Sequence, residues 1–253
     1  MFQSLIDRGF QVEFHAHAAA IIGTDFPEVV AELEPPLLEM SVPIAELIAS
    51  GGGEAKATQR LRHALKDKGW DKQRFVVEKT INGVRRESTT HEMDHVRHYG
   101  HGTIALEIEW NNKDPFFDRD LENFKRLHAD GAISAGIIVT RGRSLHEALR
   151  DLVHGFVVWH QLDDIGQLAS WGYLPTARQR REIERRAART GDFRAAFADM
   201  FTQDKFGEAT THWRKLEDRV HRGVGNPCPL LLIGLPAGIV RPPERETRML
   251  PGL

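Results

Sequence analysis

Two carboxylates stand two residues apart, Glu107 and Glu109, in the segment Thr103-Ile104-Ala105-Leu106-Glu107-Ile108-Glu109-Trp110, where apolar residues fill every second position. That period belongs to a strand, so Ile104, Leu106, Ile108 and Trp110 share one face, and Thr103, Ala105, Glu107 and Glu109 share the other. The two carboxylates then lie roughly 6.6 Å apart along the strand, close enough to repel unless a cation sits beside them. Asp94, thirteen residues before Glu107, joins the pair if the chain doubles back as a hairpin or bent strand. Asp94, Glu107 and Glu109 then make an all-oxygen cluster of the kind hard Mg²⁺ prefers, its shell completed by waters and phosphate oxygens. Phosphoryl chemistry follows from such a site.

The stretch around Asp94 also admits a different chemistry. His91-Glu92-Met93-Asp94-His95 matches H-E-x-x-H, the pattern of a zinc metallopeptidase in which His91 and His95 share a helix face and Glu92 is the general base. The surroundings suit it poorly. Between Thr90 and Gly100 only Met93 and Val96 are apolar positions for a buried helix face, and a strand begins at once. His98 stands where a metzincin has its turning glycine. A histidine-rich loop is the simpler reading.

The elements around the acidic strand argue for a cleft. Asp118 caps an expected helix through Leu121, Phe124 and Leu127 that stops at Gly131, and Ala132–Val139 follows as a strand apolar on both faces. Strand, helix, strand implies a parallel crossover with the acidic strand inside the sheet. Earlier, Phe26–Ser50 reads as helical segments broken by Pro35, Pro36 and Pro43; Gly51-Gly52-Gly53 is a connector; Glu54–Lys68 is an amphipathic helix. Arg74–Lys79 and Thr80–Val84 form an expected hairpin around Asn82-Gly83. Later, Ser144–Phe156 and the arginine-rich Thr176–Arg189 read as helices, and Leu230–Ile233 as a buried strand.

The whole chain is compatible with one α/β domain: 253 residues, 41% apolar and 28% charged, with no long linker or repeat. No apolar run approaches the ~20 residues of a membrane span, and a cytoplasmic location is the expectation. The single cysteine, Cys228, excludes an internal disulfide and a Cys-based zinc site, so any metal falls to His or carboxylates. Residues 1–54 carry one base against nine acids, whereas the rest carries 33 bases against 27 acids. That polarity gives an anion one side to approach.

A longer pattern adds specificity. Glu107-Ile108-Glu109-Trp110-Asn111-Asn112-Lys113-Asp114-Pro115-Phe116-Phe117-Asp118-Arg119-Asp120-Leu121, then Phe124 and Gly136-Ile137-Ile138-Val139-Thr140-Arg141, closely resembles the BglII and BstYI family of type II restriction endonucleases. The resemblance is dense from about Thr90 to Arg141 and extends toward Gly225-Asn226-Pro227 and the last strand. It implies a restriction-endonuclease-like α/β core, a mixed central sheet flanked by helices. The expected division is a mainly helical part over 1–69, a catalytic core over 70–160, and a helical region with the final strand over 161–253. Within the wider PD-(D/E)xK superfamily the third active-site position is mostly lysine; here Glu109 occupies it, as in the related BamHI type.

Carried onto this chain, the resemblance implies that Asp94 and Glu107 hold a divalent metal, Mg²⁺, and that Glu109 completes the catalytic set. A carboxylate there can orient or deprotonate the attacking water. Asn111, Asn112 and Lys113 beyond the acidic strand, with Thr140, Arg141 and Arg143 leaving its parallel neighbour, are the expected DNA contacts. The implied reaction is hydrolysis of double-stranded DNA at a short palindrome with a GATC core, leaving 5′ phosphates. Two strands and one cluster per chain imply a homodimer, with a companion DNA methyltransferase acting on the same site.

Overall fold

The computed structural model describes residues 1–51 and 53–242; Gly52 of the expected glycine connector and residues 243–253 of the expected C-terminal region lie outside the described residues. Eight strands occur among the described residues: β1 (Gln11–His15), β2 (Val42–Pro43), β3 (Asp71–Ile81), β4 (Val84–Tyr99), β5 (Gly102–Glu109), β6 (Ala135–Arg141), β7 (Leu230–Leu235) and β8 (Val240–Arg241). The chain falls into two compact units, the first comprising Met1–Met40, Glu54–Glu147 and Lys205–Gly238, and the second Ser41–Gly53, Ala148–Asp204 and Ile239–Leu253. β7, late in the sequence, pairs into the sheet of the first unit.

That sheet is six-stranded and mixed, in the order β1-β7-β6-β5-β4-β3. Its centre is parallel: β5 pairs with β6 and β6 with β7 in the same direction. All seven residues of β6 and all six of β7 are buried, the mark of strands covered on both faces. The flanks are antiparallel, with β1 on β7 and the β3–β4–β5 meander on the other side. Asn82 and Gly83 join β3 to β4 at φ +50° and +78°, the two left-handed residues a tight hairpin turn requires. The hairpin is expected from the sequence; its strands run much further than the expected Arg74–Val84.

The crossover from β5 to β6 is the helix Phe116–Ala129. Phe117, Leu121, Phe124 and Leu127 recur every three or four residues and bury in one cluster with Ala105, Ile138, Leu230 and Leu232 of the sheet, where each such side chain stabilises the fold by about 1.5–3 kcal/mol. A Cβ on Gly136 would lie 2.5 Å from Phe124 Cδ2, so the ring rests directly on the β6 backbone. Trp213–His221 packs against this helix through Trp213, Leu216 and Val220. The crossover begins earlier than expected. Pro115, at φ −63°, takes the N-cap position, and Asp118 lies inside the first turn, where its Oδ2 accepts from Arg219 Nε at 2.9 Å.

The second unit contains the parallel pair β2 and β8, and the arginine-rich helix Ala177–Thr190. Thr176 caps this helix through Gln179, and Gly191 ends it at φ +72°. Its arginines are engaged locally: Arg185 and Arg186 with Glu182 at 2.7 and 2.8 Å, and Arg178 with Asp204 at 3.2 Å. Among the described residues no helix is long and apolar enough to cross a membrane.

Candidate active site

The β4–β5 hairpin brings the acids together. His95 pairs with Leu106, so the next pair outward opposes Asp94 and Glu107, and the Asp94 amide donates to Glu107 Oε1 at 3.1 Å. On its other edge β4 carries an extra residue. Asp71 pairs with Val96 and Gln73 with Met93, leaving Lys72 alone to face both Asp94 and His95. This bulge breaks the two-residue alternation, so Met93 and Val96, three apart, bury in the same core cluster while Asp94 stays at the rim. Lys72 Nζ lies 2.6 Å from Glu92 and 3.5 Å from Asp94, and those partners, Glu92 first, hold its pKa above the usual lysine value.

Strand parity aims Glu107 and Glu109 at the face that Phe116–Ala129 covers, since Ala105 on that face is in the helix's cluster. There they meet a fourth carboxylate, Asp120, which is wholly buried. Glu107 and Glu109 are only 3% and 2% exposed. Burial, followed by the charges of Asp120 and Asp94, pushes Glu107 well above the usual carboxylate range, with the Asp94 amide opposing. Burial and then Asp120 raise Glu109 to about 8, against the Asn112 amide, which donates to Glu109 Oε2 at 2.8 Å, and Arg119, 3.6 Å away. Asp120 is itself raised by burial, although Arg119 pairs with its Oδ1 at 2.7 Å. Asp120 Oδ2 is buried with no hydrogen-bond partner. Four carboxylates thus face one another with Arg119 and, at the rim, Lys72 as the cations beside them. An all-oxygen set with a deficit of positive charge fits a hard divalent cation.

The expected DNA-contact residues divide. Lys113 is exposed, and Asn111 is half-buried. The Asn112 side chain is turned onto Glu109, and its backbone exchanges hydrogen bonds with Thr211. Arg143 is exposed but paired with Glu217 at 3.1 Å. Thr140 and Arg141 overturn the expectation, because both are fully buried. Thr140 Oγ1 donates to the Glu109 carbonyl at 2.7 Å. Arg141 donates to the carbonyls of Trp110 and Thr211 at 2.8 and 2.7 Å and to Thr210 Oγ1 at 2.6 Å. These two residues brace the segment that ends β5.

The zinc-peptidase alternative fails on geometry. The H-E-x-x-H segment lies inside β4, where four residues span roughly 13 Å instead of one helical turn. His91 Nδ1 pairs with Asn123 Oδ1 at 2.8 Å, and His95 Nδ1 with the Leu106 carbonyl at 3.2 Å, in separate surroundings. Glu92 is taken by Lys72.

Asp120, Arg119 and Lys72 carry no assigned role in the sequence reading. Asp120 did leave a signal: an acid between Phe117, Leu121 and Phe124 on the apolar stripe of a helix needs a polar partner beneath it. Lys72 left none, since the bulge that places it depends on pairing between distant residues.

A mixed sheet with a parallel centre, a covering crossover helix and acids from a hairpin defines the class: a restriction-endonuclease-like α/β enzyme. A comparison with known protein families matches residues 10–235 to the family described as restriction endonuclease BglII/BglIII, and the chain belongs to it. It is accordingly a site-specific deoxyribonuclease, a hydrolase whose substrate is double-stranded DNA. A search of curated proteins finds no match.

Proposed function

We propose that the protein is a type II restriction endonuclease that hydrolyses DNA phosphodiesters in the presence of Mg²⁺ at a short palindromic site, leaving 5′-phosphate ends. The observation that carries this reading is the buried acidic cluster, in which Glu107, Glu109 and Asp120 face one another beside Asp94 with too little positive charge. Asp94 and Glu107 would hold the ion. Such a cation, when bound, neutralises charge building on a phosphoryl group and acidifies water.

Glu109 is the proton acceptor or water-orienting group in this reading, its metal-free carboxyl raised by burial and by the neighbouring Asp120. Asn112 fixes one of its oxygens, and Thr140 fixes its backbone, so its carboxylate has one orientation to offer. Arg119, between Glu109 and Asp120, limits how far the acids repel one another. Asn111 and Lys113, directly beyond the acidic strand, and Arg143 beyond β6 are the proposed DNA contacts. One acidic cluster per chain and two strands to cut support a homodimer on a palindrome, with a GATC core suggested by the family resemblance and a methyltransferase protecting the same site.

Incubating the full-length protein with plasmid DNA tests this. Discrete fragments in Mg²⁺, none in chelator, and end sequencing that returns 5′ phosphates at one palindrome are expected. The reading fails if no divalent cation yields discrete fragments, or if Glu107→Ala cuts as the parent does.

A further inference from the structure

Away from the acidic cluster, three side chains of the same unit converge on one another. His146 lies on the helix Arg143–Trp159; Glu208 and His212 flank the turn that precedes Trp213–His221. Thr210 closes that turn by donating from its amide and hydroxyl to the Gly207 carbonyl, which brings Glu208 back beside His212. The two imidazoles stack, with centroids 3.9 Å apart and planes 9° from parallel. Their Nε2 atoms stand 3.6 and 3.7 Å from the two Glu208 oxygens.

Those separations are too long for good hydrogen bonds, and His212 has no other partner: it is 1% exposed, with both ring nitrogens unpaired. Leaving a buried ring nitrogen unsatisfied costs about 1–3 kcal/mol. Across a tetrahedral ion with bonds of about 2.0–2.1 Å, neighbouring ligand atoms are roughly 3.3 Å apart, so closing the three donors around a metal requires the two stacked rings to turn until their in-plane lone pairs converge. The three ligand atoms all lie within 4.8 Å of one another, and no other trio of His, Cys, Asp or Glu does so among the described residues.

We propose that His146, Glu208 and His212 form a second metal site, suited to Zn²⁺ or a similar borderline ion, that clamps the 207–212 turn to the helix carrying His146. Two imidazoles and one carboxylate are a zinc donor set. Arg141, whose Nη1 is 3.4 Å from His146 Nδ1, with Arg214 and Lys215 nearby, opposes a cation, and Glu208 supplies the compensating charge. The site does not touch the acidic cluster, yet its turn reaches it. Thr210 bridges to Lys113, Thr211 exchanges hydrogen bonds with Asn112, and the Ala209 carbonyl accepts from Asp114. A metal here would stiffen the segment that positions Glu109.

The test is titration of chelator-stripped, full-length protein with Zn²⁺ alone, with Co²⁺ absorption as the probe of tetrahedral coordination. One equivalent is expected to bind the parent and Glu107→Ala alike, raising Tm with Zn²⁺ concentration. Glu208→Gln, on an exposed side chain, and His146→Gln should each weaken it roughly tenfold or more. If His212→Ala fails to fold, Glu208→Gln still decides. Undiminished binding in both Glu208→Gln and His146→Gln, absence of binding in the parent, or binding lost only in Glu107→Ala overturns the proposal.

Discussion

The acidic cluster and the His146–Glu208–His212 trio lie in one unit, on either side of the segment 110–114, and they are built on opposite terms. The first gathers four carboxylates, of which Glu107, Glu109 and Asp120 are buried and raised, with no three of its ligand atoms drawn within 4.8 Å. The second is compact, with two neutral nitrogens and one carboxylate beside a buried arginine. Oxygen donors held apart suit an ion that keeps its waters and is completed by substrate oxygens. Nitrogen donors already converged suit a resident ion that needs no substrate. The contrast teaches that donor type and spacing, more than the number of candidate ligands, separate a catalytic from a structural role.

The sharpest way to break this contrast is Glu107→Ala, for which we expect cleavage to fall on the order of 10³-fold or more while DNA is still bound without divalent ions. Gel-shift and cleavage assays on one preparation check both halves. Arg141→Met should cost about 3 kcal/mol in denaturant unfolding, because the carbonyls of Trp110 and Thr211 lose their donor in a buried site. Gly136→Ala should cost about 1–3 kcal/mol by displacing Phe124 and the helix that carries Asp120. Unchanged Zn²⁺ affinity in that variant, measured by titration, would confine the damage to the acidic side.

Stability against pH distinguishes the regions by sign. Glu109 is raised from 4.5 to about 8, so between those values the folded metal-free protein binds more protons than the unfolded chain, and its stability falls as pH rises. Glu109→Gln should flatten that slope in unfolding titrations, as should added Mg²⁺. His212, depressed from 6.5 to about 4, has the opposite slope: its contribution is full above 6.5 and is lost as pH falls through 4. The smallest effect belongs to Lys72→Met, whose exposed pairs with Glu92 and Asp94 are worth about 0.2–1 kcal/mol. Cleavage reduced more than this stability loss would mark Lys72 as an electrostatic partner of the site.

Much of the acidic face of the sheet was legible because its information is local. The alternation from Thr103 to Trp110 states which side Glu107 and Glu109 take, and the apolar run after Gly131 states that a buried parallel strand follows. Asp94 required only that the chain turn back on itself. Three features resisted. The bulge opposite Lys72 arises from pairing between residues twenty or more apart. Arg141 reads as an exposed cation at a strand end, yet the carbonyl that fixes its inward course belongs to Thr211, seventy residues later. Asp118 has a capping side chain, but Pro115 had already started the helix.

The hairpin joining β4 to β5 turns at Gly100 and His101, beyond the pair Tyr99 and Gly102. Its pleat makes the interval between the two opposed acids elastic in one way only. Adding a residue to each arm beside the turn moves Asp94 and Glu107 outward together and leaves them opposed; adding it to one arm alone puts the two acids on opposite faces of the sheet. The same pair can therefore be kept at several sequence intervals that differ by two, and a search keyed to the thirteen-residue gap would miss the others.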